Sequence, residues 1–183
     1  MSMDPFEVLL DLEKKCKANA RPLPLQRELS RGWQGIGYLT GQQYFVSPLS
    51  EIKEVIPIPS ITALPAAADW FMGVTNLRGR VLPVTDLQKF ILGTSQTLTP
   101  LSRVLVMEFE QSNVGFVVSQ VLGVQRFLGQ PAVVKPEELQ IEQAFQPYIQ
   151  GVFEGAKHRW HVLSLKQLSE SGQFYHLVKE LGA

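Results

Sequence analysis

A single cysteine, Cys16, stands in a chain of 183 residues. One thiol can build neither an internal disulfide nor a cysteine-based zinc site, which points to a reducing compartment. An excess of charge of one sign is missing as well, with 17 Lys and Arg against 17 Asp and Glu. Without a broad positive field, binding to DNA or RNA lacks its electrostatic driving force, and nucleic acid is not an expected partner. The clusters Lys14-Lys15-Cys16-Lys17 and Lys157-His158-Arg159 read as solvated faces. No apolar run approaches the roughly 18 residues of a membrane helix. The opening "MSMDPFEVLLDLEKK" carries Asp4, Glu7 and Asp11 where a secretory signal needs a basic start and unbroken apolarity. These absences predict a cytoplasmic protein with no direct membrane insertion.

Catalytic patterns are equally scarce. "GIGYLTG" (35 to 41) imitates a dinucleotide-binding glycine run, but its third glycine is misplaced and no apolar strand precedes it, so it reads as a turn. There is no P-loop, and no serine carries a nucleophile-elbow pattern. His158 and His161 in "HRWH" are three apart, which on a strand sends them to opposite faces and speaks against a shared metal. His176 lies in a helical tail. Asp86 is explained as a helix cap. The sequence therefore predicts no catalytic residue, no metal and no cofactor.

What is present is organised as strands. Asp4-Pro5 opens an amphipathic helix over about 5 to 19, with Val8, Leu9, Leu12 and Cys16 on one face. From Trp33 come short apolar runs divided by turn residues: "GIGYL", "QYFVSPL", "EVIPI", "FMGVTNL" and "RVLPVTDL". Asp86 then caps a short helix with Leu87, Phe90 and Ile91 inward and Gly93 past its end. After the polar linker 94–102, "RVLVMEFE" and "VGFVVSQVLGVQRF" flank a hairpin at "QSN". "IQGVFEG" and "RWHVLSL" make another hairpin around Gly155-Ala156-Lys157. The segment from Pro131 to Pro147 is ambiguous, with a helical turn near Glu137–Gln140. Ser164 and Leu165 open a short helix that Gly172 ends, and Phe174, Leu177, Val178 and Leu181 form a further helical face. Two clusters of about five strands predict paired small barrels.

The stretch "GVTNLRGRVLPVTDL" (73 to 87) does not fit an enzyme. Gly79 supplies a backbone conformation that a Cβ would resist. Pro83 cannot donate to a ladder, which predicts an edge or bulged strand. Arg78 presents a planar five-donor fork suited to a carboxylate. An edge strand, an exposed arginine and apolar neighbours suit recognition of a partner.

With Met72 in front, this stretch closely resembles the signature of the CheW family of chemotaxis adaptors. In that family a Gly-Val-x-Asn-Leu-Arg-Gly run leads into a Pro-Val-x-Asp-Leu strand. The resemblance covers about residues 33 to 170. "SPLSEIKEVIPIPSITALP" fits the segment before the signature. "VGFVVSQVLGVQRF" fits the family's Val-Gly-x-Val-Val-Asp-x-Val pattern, with Ser119 where an aspartate is usual. The resemblance implies two five-stranded SH3-like barrels and no catalytic activity. It implies coupling of a methyl-accepting chemoreceptor, whose helical tip lies between the barrels, to a CheA-like histidine kinase, whose regulatory domain docks barrel to barrel. By position, Glu54 and Arg78 match a facing carboxylate and arginine. Ile52, Gly73, Val74 and Asn76, beside Gly79, match neighbouring positions implicated in receptor or kinase coupling.

The implied layout is an N-terminal helical extension over 1–30, a CheW-like domain over 31–170 (barrels at about 31–93 and 101–168) and a helical tail over 171–183. The N-terminal helix, the Trp70-Phe71 pair and the C-terminal extension resemble the type of the family that serves type IV pili and twitching motility, rather than flagella. Three other readings are weaker. A hydrolase would need Asp86 to converge with His158 or His161. A small-barrel nucleic-acid module would need aromatics interleaved with Lys and Arg on one strand face. A detached kinase regulatory domain is disfavoured by the independent N-terminal helix and the lack of a linker from a catalytic region.

Overall fold

The computed structural model describes residues 32–110 and 112–172, together with Lys15 and Phe174. The expected helix over 5–19 and the tail positions Leu177, Val178 and Leu181 lie outside the described residues. Ten strands follow one another: β1 (Trp33–Thr40), β2 (Gln43–Pro48), β3 (Glu54–Pro57), β4 (Phe71–Leu77), β5 (Arg80–Asp86), β6 (Arg103–Phe109), β7 (Ser112–Val118), β8 (Gln120–Phe127), β9 (Ile149–Glu154) and β10 (Arg159–Leu163). Helix α1 (Leu87–Leu92) follows β5, and α2 (Leu165–Ser169) follows β10.

The strands form two five-stranded sheets, ordered β8-β1-β2-β10-β9 and β3-β6-β7-β5-β4. The two strand clusters of the sequence are thus present, but the boundaries 31–93 and 101–168 do not coincide with the sheets. The second sheet is one continuous segment, β3 to β7, inserted into a first sheet built from both ends of the domain. Each sheet contains one parallel pair, β10 with β2 and β5 with β7. Parallel pairs need long crossovers, and apolar runs in a sequence do not say which strands such a crossover joins.

Nor do the sheets close into barrels. In each, the chain leaving one edge strand meets the opposite edge at a single isolated bridge, Thr62 with Val74 and Ala132 with Val152. The bridges are well formed, with N–H to O distances of 2.8 and 2.9 Å at Thr62–Val74 and 2.9 Å for both bonds at Ala132–Val152. One residue pair is a clasp and not a ladder. Gly73 makes the first clasp possible: its φ is +131° at a register shift in β4, and a Cβ there would collide with the Thr62 carbonyl.

Three apolar layers alternate with the sheets. The shared core between them takes Tyr38, Phe45, Leu105, Met107, Phe116 and Leu163, with Phe174 packed in. Behind the second sheet lie Leu82, Val84, Val104, Val106 and Val117, and behind the first lie Val46, Phe153, Trp160 and Val162. Successive residues of β6 therefore serve opposite cores, which explains why "VLVM" (104 to 107) is continuously apolar instead of alternating.

Local expectations fare unevenly. Asp86 Oδ1 accepts from the Lys89 N–H, and Gly93 ends α1 at φ +72°. Gly35 to Thr40 is strand, and only Gly41, at φ +61°, belongs to a turn. β5 is an inner strand and not an edge. Pro83 is tolerated because pairing with β7 begins one residue later, at Val84–Gly115, leaving that side of Pro83 without a ladder. α2 ends at Glu170, two residues before Gly172.

Candidate functional site

Glu54 opens β3, while Gly73, Val74 and Asn76 lie on β4, so the expected site residues occupy opposite edges of the second sheet. Curling brings the edges together. Arg78 Nη2 donates to Glu54 Oε2 at 2.8 Å, a side-chain clasp beside the backbone clasp at Thr62. The hairpin turn explains the reach. Leu77 pairs with Arg80, and the two residues between them have φ of +53° (Arg78) and +82° (Gly79), a type I′ geometry. Asn76 Oδ1 accepts from the Gly79 N–H at 2.8 Å and fixes the turn. Arginine is an unfavourable choice at that first position, where a side chain in the left-handed region costs about 1–2 kcal/mol.

The seven expected residues divide in two. Asn76, Arg78 and Gly79 are exposed beside half-buried Glu54 and Val74, whereas Gly73 is buried and Ile52 joins the shared core. Ile52 and Gly73 thus shape the site from within. The Arg78 side chain is 80% exposed and that of Glu54 21%, so the pair contributes about 0–1 kcal/mol to stability.

Sequence reasoning missed several neighbours. Lys53, Leu77, Arg80 and Asn113 join Glu54 and Arg78 around a surface pocket of about 270 Å³. A larger depression of about 700 Å³ opens next to it, walled by Glu51, Lys53, Phe109, Glu110, Lys166 and Glu170. Its walls come from the β2–β3 connection, the end of β6, and α2, the helix that follows β10. Glu51 ties these parts together by accepting from Ser164 Oγ at 2.9 Å and the Lys166 N–H at 3.1 Å.

A second polar knot spans the sheets inside the supposed linker. Gln96, buried, gives its backbone N–H to Asp86 Oδ2 and its side-chain amide to Asp86 Oδ1 and the Val117 carbonyl. Ser119 donates to Gln96 Oε1 at 2.9 Å and accepts from the Gly41 N–H at 3.2 Å. Nothing in the polar run "TSQTLTPLS" distinguishes Gln96 from its neighbours.

The residues considered for chemistry are occupied structurally. Both oxygens of Asp86 accept hydrogen bonds, as just described. His158 stacks on Tyr44 with ring centroids 3.8 Å apart. His161 is buried, its Nε2 2.7 Å from the Leu139 carbonyl and its Nδ1 3.3 Å from that of Tyr44. Among the described residues, no group of three or more His, Cys, Asp or Glu is placed to hold a metal ion. No helix among them is long and apolar enough to cross a membrane.

Comparison with known proteins supplies the context. The CheW-like domain family matches residues 34–173. Protein PilI of Pseudomonas aeruginosa is 40% identical over 174 residues, which span 93% of this chain and 94% of the relative. Chemotaxis protein CheW of Thermotoga maritima is 38% identical over 85 residues, 46% of this chain and 56% of that one. Protein FrzA of Myxococcus xanthus is 35% identical over 79 residues, 43% of this chain and 49% of that one. The crystal structure of a scaffolding CheW protein from Thermoanaerobacter tengcongensis superimposes with a TM-score of 0.66 over 85% of this chain and 94% of that one; at 19% identity it speaks for the fold alone. Fold, signature and end-to-end similarity agree: the chain belongs to the CheW-like family, the adaptors of chemosensory signalling.

Proposed function

We propose that this protein works purely by binding, holding the signalling tip of a methyl-accepting chemoreceptor and the regulatory domain of a CheA-like histidine kinase in one assembly. The pathway is that of type IV pili and twitching motility, as the near full-length similarity to PilI supports. One observation carries the reading. The signature hairpin folds over the edge of its sheet to set Arg78 against Glu54, beside a depression walled by the β2–β3 connection, the end of β6 and α2. A rod-like receptor tip fits the depression, and the exposed seam at Asn76, Arg78 and Gly79 is left for coupling to the kinase. The adaptor resides in the cytoplasm and joins the membrane through receptor arrays.

The test is reconstitution of receptor-stimulated kinase phosphorylation with the purified adaptor. Arg78→Ala is expected to keep a cooperative melt and lose stimulation. Undiminished stimulation by the variant would remove the seam from the coupling path. Failure of the wild-type protein to bind either component would overturn the adaptor reading in this pathway.

A further inference from the structure

The 270 Å³ pocket at the seam is lined by three cations, Lys53, Arg78 and Arg80, and by one carboxylate, Glu54. That carboxylate is already engaged by Arg78. Lys53 is shared between Glu108 Oε2 at 3.3 Å and Asn113 Oδ1, on the pocket wall, at 3.2 Å. Arg80 is exposed, and among the described residues it has no carboxylate partner. Arg78 spends one of its five donors on Glu54, and the rest of its fork faces solvent. The pocket therefore holds unspent guanidinium donors on Arg78, within a two-residue turn, and on Arg80, directly after it.

The turn strengthens the point. Arg78 is held at φ +53°, where asparagine or glycine would be comfortable. The hairpin retains an arginine there against its local preference, and such strain marks positions where the side chain is wanted for another purpose. Leu77 adds an apolar wall, so an incoming carboxylate would be partly shielded from water, which strengthens charge-assisted bonds.

Building on the adaptor reading, we infer that this pocket receives an aspartate or glutamate side chain of a protein partner, with Arg80 as its main contact and Arg78 and Lys53 in support. Arg80 falls between the two runs of the signature, at a position that the pattern leaves unspecified. The planar fork favours two parallel bonds to one carboxylate, so Arg80 and lysine are not equivalent here.

The experiment measures the affinity of the purified adaptor for the pilus-system kinase regulatory domain and, separately, for the receptor tip. The variants are Arg80→Glu, Arg80→Lys and a distant control, Arg103→Lys. For the kinase regulatory domain, Arg80→Glu is expected to weaken binding by about tenfold or more at low salt, with Arg80→Lys intermediate. The difference between variants should shrink as salt approaches about 0.5 M. Reversing acidic residues on that partner one at a time to lysine should then identify one that restores binding to Arg80→Glu. If the wild type binds a partner and Arg80→Glu binds both as tightly, the inference is overturned while the adaptor reading stands. Loss of affinity with no charge reversal able to restore it also overturns the inference. Absence of wild-type binding to both components refutes the underlying reading.

Discussion

Replacing Arg78 by asparagine separates what this residue does for the fold from what it does for coupling. An arginine in the left-handed region costs about 1–2 kcal/mol, and Asn-Gly is the preferred pair for a type I′ turn, so Arg78→Asn relieves much of that strain. Against this stands the lost ion pair to Glu54. With the arginine 80% exposed, the loss belongs at the lower end of about 0–1 kcal/mol. The turn bond from the Gly79 N–H to Asn76 does not involve the substituted side chain and survives. The balance lies between neutral and about 1 kcal/mol of stabilisation, or up to about 2–4 °C in Tm for a chain of this size. The same variant deletes the guanidinium, so receptor-stimulated phosphorylation should fall. Thermal and urea melts beside the phosphorylation assay read both effects. A destabilisation above about 1 kcal/mol would refute the strain argument, because the ion pair would then be structural.

Three further outcomes are expected. Gly73→Ala, which drives a Cβ into the Thr62 carbonyl at φ +131°, should break the edge clasp and cost more than about 2 kcal/mol by denaturant titration. Gln96→Leu leaves Asp86 and the Val117 carbonyl short of donors inside the protein, and should cost about 2–3 kcal/mol, with the β7–β8 junction losing amide protection in hydrogen exchange. Burial pushes the Tyr38 phenol above its ordinary range, although its bond to Ser47 opposes the shift. The fold thus favours the neutral phenol, so this contribution is complete below the unfolded pKa of about 10 and fades at higher pH as the unfolded chain ionises. Tyr38→Phe should remove that part of the alkaline decline, seen as a shallower loss of stability between about pH 10 and 12 relative to wild type.

The strands were legible because both faces of the inner ones are buried, which leaves unbroken apolar runs such as "VLVM" and "GFVV". The cap at Asp86 and the turn at Arg78-Gly79 were legible because they rest on neighbours in sequence. Pairing was not, since the partners of β2 and β5 lie far along the chain. Pro83 shows the limit well: its chemistry implied a missing ladder bond, yet a strand can lack a neighbour on one side over its first half and still be an inner strand. At the seam, the arginine of the turn was readable from its glycine. Arg80 and Lys53 were not, because only the curl of the sheet brings β3 beside the hairpin. Gln96 was invisible for the same reason, its partners coming from two separate segments, at Asp86 and at Val117 to Ser119.

Because the second sheet is inserted whole into the first, synthesis from the N-terminus imposes an order on assembly. By the time Val118 has emerged, every strand of the inserted sheet exists, whereas β1 and β2 still lack three of the strands that complete theirs. The early hairpin must wait, with Phe45 and Val46 uncovered, until β10 arrives more than a hundred residues later to pair with it. Closing so long a loop is slow relative to local pairing. An exposed apolar hairpin in the interval is a point of vulnerability for the nascent chain. A chain order that ran β8 to β10 and then β1 and β2 would shorten that interval while asking for the same strand pairings.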